Sequence, residues 1–118
     1  MSKKTEKIML PRCFIEDASP ALEDSHNPYT EDEFLIRLRP VAEAINEGIY
    51  RKNNSVSIQV TAGMAEVIAE EASFREEWQT DMSRDAWDNA EKMACLAYAR
   101  SHKATANRAT AIYERLIK

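Results

Sequence analysis

The chain has 118 residues, of which 44% are hydrophobic and 31% are charged, and its formal net charge at pH 7 is −4. A chain of this length can fold as one domain around its own core. Only two glycines occur, which argues against glycine-rich phosphate loops and against β-meanders closed by glycine turns. No apolar run is long enough to cross a membrane, and the N-terminus MSKKTEK lacks the apolar core of a signal peptide. We therefore expect a cytoplasmic protein.

The first thirty residues predict an irregular N-terminal arm (residues 1–30). Pro11, Pro20 and Pro28 interrupt any helical periodicity, which argues against a long helix here. The arm still carries apolar side chains that a free polar tail would lack, namely Met9, Leu10, Phe14, Ile15, Leu22 and Tyr29. We expect the arm to pack on its own domain or on a neighbouring subunit, and residues 31–118 to form a single helical domain.

The first predicted helix begins near Thr30, where the sequence Thr-Glu-Asp-Glu has the form of a capping box. Apolar residues then recur every three or four positions, as one face of a helix requires: Phe34, Leu38, Val41, Ile45 and Ile49. Pro40 lies inside this stripe and predicts a kink or a short break near residues 38–39.

The segment 55–60 (SVSIQV) fits two structures. Val56, Ile58 and Val60 alternate with polar residues, as in a half-buried strand. The same valines also continue the apolar stripe of the following segment, so an early helix start is the alternative. We favour the strand. It then needs a pairing partner, either the N-terminal arm or the same segment of a second subunit.

Helical periodicity continues over residues 61–80, 84–101 and about 104–116. A turn is expected at residues 81–83, with Ser83 as the cap of the next helix. The break at residues 101–103 is weak, so one continuous helix to the end is the alternative. The predicted fold class is mainly α, a small bundle of three to four helices with one short strand and the irregular arm.

Charge is distributed unevenly along the second half of the chain. Residues 61–98 carry nine acidic and three basic residues, whereas residues 99–118 carry five basic residues and one acidic residue. The helix 61–80 places its glutamates opposite its apolar stripe. This polarity favours docking on a partner of opposite charge, including a second copy of the chain.

Catalytic and metal-binding patterns are weak in this sequence. His26 and His102 form no HxxxH pair, and Cys13 and Cys95 form no CxxC or Cys/His cluster. Cys95 with His102 as a base is one nucleophile hypothesis, but a small core thiol in an alanine-rich helix is the favoured interpretation. We expect two reduced thiols, no catalytic residue, no metal site and no cofactor.

Nucleic-acid binding is the alternative function. A strand with alternating polar residues followed by two helices, over residues 55–101, resembles the ribbon-helix-helix arrangement, in which paired strands of a dimer enter the major groove. The resemblance implies that Ser57, Gln59 and Thr61 face the bases, although the first helix is acidic where that family contacts phosphate. The second support is basic residues near the C-terminus that suit phosphate contacts, namely Arg100, Lys103, Arg108 and Arg115.

The leading hypothesis is a small non-catalytic protein–protein interaction module, an adaptor or inhibitor that acts on a larger assembly and is typical of mobile genetic elements. Its expected contact residues are Glu66, Glu70 and Glu77 on the acidic face, with Phe14 on the arm. The partner is another protein or a second copy in a homo-oligomer. Four large aromatic residues suit an interface when exposed, but we expect at least three of them in the core: Trp78, Trp87, Tyr98 and Tyr113.

Overall fold

The computed structural model describes residues 4–118, and within them it contains four helices and a two-stranded sheet. The elements are β1 (Glu6–Leu10), α1 (Arg12–Asp24), α2 (Glu33–Glu47), β2 (Val56–Val60), α3 (Ala62–Arg84) and α4 (Asn89–Leu116). The mainly α fold class predicted from periodicity is confirmed.

The small sheet joins the start of the chain to its middle. Strands β1 and β2 are antiparallel, with Ile8 opposite Ile58 and Leu10 opposite Val56. These four side chains are buried, because side chains at alternate positions of a strand share one face. The strand predicted over residues 55–60 is confirmed, and its partner is the N-terminal arm of the same chain.

Helix α1 corrects the prediction of an irregular arm. Irregular structure is found at residues 25–30, but residues 6–10 are a strand and residues 12–24 a helix. Pro11 is the N-cap of α1, a position where proline removes no helical hydrogen bond. Pro20 lies inside the helix, where it costs about 3 kcal/mol. Burial of Phe14, Ala18 and Leu22 at a spacing of four offsets that cost. Residues 1–3 of the predicted arm lie outside the described residues.

Helix α2 begins two residues later than the capping-box pattern predicts. The cap is Asp32, whose Oδ1 accepts hydrogen bonds from the backbone N–H groups of Phe34 and Leu35 at 2.9 and 3.3 Å. The helix continues through Pro40 without the predicted break. The middle of the predicted stripe is buried, whereas Ile49 is 86% exposed because α2 ends before it.

Helices α3 and α4 form a long antiparallel hairpin that makes the molecule 53 Å long. Thr61 caps α3 and Asp88 caps α4, each by accepting a backbone N–H. The turn predicted at residues 81–83, with Ser83 as a cap, is wrong, because α3 continues to Arg84 and the chain turns at residues 85–88. The alternative of one continuous C-terminal helix is confirmed.

The hydrophobic core lies where the sheet, α1 and α2 cover the hairpin. Beyond residue 73, one side of α3 stays covered, because Gln79 is buried and contacts Asp17 of α1, whereas large apolar side chains on its other side are exposed. The prediction that at least three of the four large aromatic residues lie in the core is wrong, since Trp78 is 40% exposed and Trp87, in the turn, is 95% exposed. No helix of the described chain is both long enough and apolar enough to span a bilayer.

Candidate protein-binding surface

An exposed apolar row follows α3 toward the turn of the hairpin. Phe74, Trp78 and Met82 are 56%, 40% and 40% exposed, and their spacing of four residues puts them on one face. Trp87 and Met93 add exposed apolar area at the same end of the hairpin. We call these five residues the hairpin patch. Such clusters on a small protein mark interaction sites more often than chance exposure.

A cavity of about 480 Å³ continues the hairpin patch toward the body of the protein. Phe74 forms one wall, Phe34 and Leu35 of α2 form a second, and Pro20 of α1 forms a third. The cavity is large enough to accept apolar side chains of a partner. Phe74 is therefore common to the exposed row and to the cavity.

Carboxylates surround this apolar surface. Two of the predicted contact residues, Glu66 and Glu70, already form ion pairs with Arg37. Arg37 of α2 donates to Glu66 at 2.7 Å and to Glu70 at 3.0 Å. Interaction with the carboxylate of Glu66 raises the pKa of Tyr113 on α4. Glu66 and Glu70 thus join α3 to α2 through Arg37, and much of their charge is compensated. Glu77 is exposed and has no ion pair in residues 4–118, so it carries the acidic character that the sequence assigns to all three.

A buried ion pair supports the aromatic row from behind. Glu71 is 2% exposed, and its Oε1 lies 2.6 Å from Nε of Arg75. Burial raises the pKa of Glu71, while the hydrogen bond from Arg75 acts in the opposite direction. The guanidinium of Arg75 lies 5.0 Å from the ring centre of Phe74 and 5.4 Å from that of Trp78. This cation–π contact holds both rings in place on the surface.

A buried polar network behind α1 was not predicted. Nε2 of His102 and Nε2 of Gln79 both approach Oδ2 of Asp17, at 2.6 and 2.7 Å. His102 is fully buried between the rings of Phe14 and Tyr98. Asp17 and His102 are 85 positions apart, so no local spacing could reveal the pair. A histidine with no exposed surface cannot reach a substrate, and we interpret the network as structural.

Phe14 is a correction to the predicted contact residues. Its side chain is fully buried and packs edge-on against His102. Leu10, Phe14 and Leu22 of the arm belong to the core of their own domain, so Phe14 offers no contact to a partner. Met9 and Tyr29 of the arm are exposed. Trp78, which we expected among the core aromatics, is instead part of the exposed row.

The strand residues of the nucleic-acid alternative do not form the predicted dimeric ribbon. Strand β2 pairs with β1 of its own chain, and Tyr50 bridges to Val56. Gln59 is exposed and Ser57 half-buried on the outer face of this sheet. The hydroxyl of Thr61 accepts the N–H of Met64 as a helix cap, so it does not face outward to bases.

The basic residues of α4 divide into two groups. Arg100 and Lys103 are exposed and make no ion pair within residues 4–118, whereas Arg108 and Arg115 contact β1. Arg115 makes a bidentate contact with Glu6, at 2.9 and 3.0 Å, which lowers the pKa of that carboxyl. Arg108 lies against β1, where its guanidinium donates weakly to the carbonyl of Met9 at 3.5 Å. The four predicted phosphate contacts are therefore not equivalent.

A metal site and the two thiols are the remaining candidates for chemistry in the part of the chain that the structure describes. No group of three His, Cys, Asp or Glu side chains there is arranged to hold a metal ion. Cys13 and Cys95 are free thiols, and Cys13 lies 2.9 Å from the hydroxyl of Ser101. A comparison of the chain with models of protein families, with curated proteins and with solved structures gives no match.

Proposed function

We propose that this protein is a non-catalytic interaction module, an adaptor or inhibitor that binds another protein through the hairpin patch. The observation that supports this most directly is the exposed row of Phe74, Trp78 and Met82 beside a cavity of about 480 Å³. The few residues that dominate the binding free energy of protein interfaces are enriched in Trp, Tyr and Arg and cluster in well-packed pockets. The free thiols Cys13 and Cys95 are consistent with a reducing cytoplasm.

The chemistry of the surface favours a partner segment that is both apolar and basic. Glu77 lies one helical turn from the aromatic row, and Asp85 continues the acidic character along the hairpin, whereas Asp81 is paired with Arg84 at 3.1 Å. Exposed carboxylates of this kind increase the association rate of a cationic partner, and the effect weakens with salt. A second copy of the chain, offering the basic part of α4, is the homo-oligomeric version of the same proposal.

A photo-crosslinking experiment tests the proposal. Benzoylphenylalanine replaces Trp78 in one variant and Ile117 in a matched control, because Ile117 is even more exposed than Trp78, at 58% against 40%, but lies at the opposite end of the hairpin. Crosslinks in the native host should form from position 78 and not from position 117. A Glu77→Lys change in the first variant should reduce the yield at low salt. Equal crosslinking from both positions, or none from position 78, would contradict the proposal.

The solution mass separates the two kinds of partner. A homo-oligomer gives a mass above that of the 13.5 kDa chain, and Phe74→Ser should return it to the monomer value. A monomeric wild type that still crosslinks from position 78 has a different protein as its partner.

DNA or RNA binding is the second candidate, favoured by the exposed cations Arg100 and Lys103 on one helix. In that case their replacement by alanine should reduce the slope of log affinity against log salt by about two units. A wild type that does not bind mixed DNA or RNA at low salt would exclude this candidate.

A further inference from the structure

A second cavity, of about 560 Å³, lies between strand β1 and the C-terminal half of α4. Lys7 and Met9 line it from β1, Arg108 and Ala111 line it from α4, and Asn53 lines one end. We call it the strand–helix cleft. It shares no lining residue with the cavity beside Phe74, so it is a separate site.

The cleft keeps two uncompensated positive charges on opposite walls. The guanidinium of Arg108 donates to the carbonyl of Met9 at 3.5 Å and to the hydroxyl of Thr105 at 3.2 Å. Both acceptors are neutral, so these bonds orient the side chain without cancelling its charge. Lys7 makes no ion pair within residues 4–118. Arg115 differs, because Glu6 compensates it.

The rest of the cleft suits a small molecule with an apolar part. Met9 is 46% exposed, and Pro11 and Ala111 are half-buried beside it. Asn53 and Ser101 supply polar groups that can hydrogen-bond to a ligand. The volume falls in the range of ordinary small-molecule sites, about 300–1,000 Å³.

We propose that the strand–helix cleft binds a small phosphate monoester, with its phosphate between Lys7 and Arg108 and its apolar part over Met9 and Pro11. A phosphate monoester carries about −1.5 to −2 charges at pH 7, which matches the two uncompensated cations. A guanidinium is well suited to phosphate oxygens because it donates two parallel hydrogen bonds. A nucleic acid fits less well, because its affinity depends on many phosphate contacts and the chain has a net charge of −4.

Titration of the full chain with phenyl phosphate, followed by amide NMR shifts, tests the site. We expect saturable shifts for Lys7, Met9 and Arg108, with a Kd of about 1 mM or below. Phenol and inorganic phosphate each carry one half of this chemistry and should bind more weakly. Arg108→Ala and Lys7→Ala should each reduce the affinity about tenfold, since each removes a charged hydrogen bond. Arg100→Ala is the matched control, an exposed arginine of the same helix outside the cleft, and it should bind as the wild type does.

Three results would overturn the proposal. The first is the absence of saturable shifts with phenyl phosphate. The second is equal binding by wild type, Arg108→Ala and Lys7→Ala, which would place the ligand elsewhere. The third is displacement of phenyl phosphate by a thymidylate oligomer at far lower concentration, because the cations would then belong to a nucleic-acid surface. None of these results bears on the crosslinks from position 78, so this inference and the proposed function fail independently.

Discussion

The buried network of Asp17, His102 and Gln79 makes the sharpest stability prediction. In Asp17→Ala, the ring N–H of His102 and the side-chain amide of Gln79 lose the carboxylate oxygen that both approach, at 2.6 and 2.7 Å. His102 is fully buried, Gln79 is 6% exposed and the side chain of Asp17 is 11% exposed, so both donors stay largely shielded from bulk water when the acceptor is removed. Each unsatisfied buried donor costs about 1–3 kcal/mol, and the free energy of unfolding should fall by about 2–6 kcal/mol.

Urea denaturation followed by circular dichroism measures this change. A domain of this size has a total stability of about 5–15 kcal/mol, so the loss should shift the midpoint strongly. Asp24→Ala is the matched control, because Asp24 is an exposed aspartate of the same helix, and it should stay within about 0.5 kcal/mol of the wild type. An Asp17→Ala variant no less stable than the Asp24→Ala variant would refute the account of the network.

The remaining predictions concern single positions, all measured by urea denaturation. Phe14→Ala should lower the free energy of unfolding by about 3–5 kcal/mol, because the ring is fully buried. A loss under about 1 kcal/mol would indicate that Phe14 is exposed. Gly48→Ala should cost about 1–3 kcal/mol as an overpacked site, since the new Cβ would overlap a methyl group of Val56. A neutral change would mean that Val56 can move aside without cost. Glu71→Gln tests whether the raised pKa of Glu71 makes the folding stability depend on pH. Burial raises the pKa of Glu71, so the folded state binds a proton more readily than the unfolded chain. The contribution of Glu71 to stability is therefore full below its ordinary pKa of 4.5 and is lost as the pH rises through the raised value. The stability of the wild type relative to Glu71→Gln should fall from about pH 4.5 toward neutrality, and a flat difference would contradict the assigned shift.

Local patterns determined the features that short stretches of sequence encode. The period of 3.6 residues in α2 and α3 and the alternation of Val56, Ile58 and Val60 were sufficient to predict those elements, because each pattern repeats one face within a few residues. The same reasoning missed α1, whose buried row Phe14, Ala18 and Leu22 has helical spacing. The prolines led to the prediction of irregular structure, but burial of that row in the core stabilises the helix despite Pro20.

The candidate sites depend on contacts that only the tertiary structure makes. Trp78 is exposed on the side of α3 that other elements leave uncovered, while Gln79 beside it is buried against Asp17 of α1. The sequence of α3 does not show which of its sides the other helices cover. Arg37 compensates Glu66 and Glu70 from a different helix. Burial and ion pairing of a side chain are properties of its spatial neighbours. The sequence therefore determined which charges and aromatic rings exist, and packing decided which of them remain available to a partner.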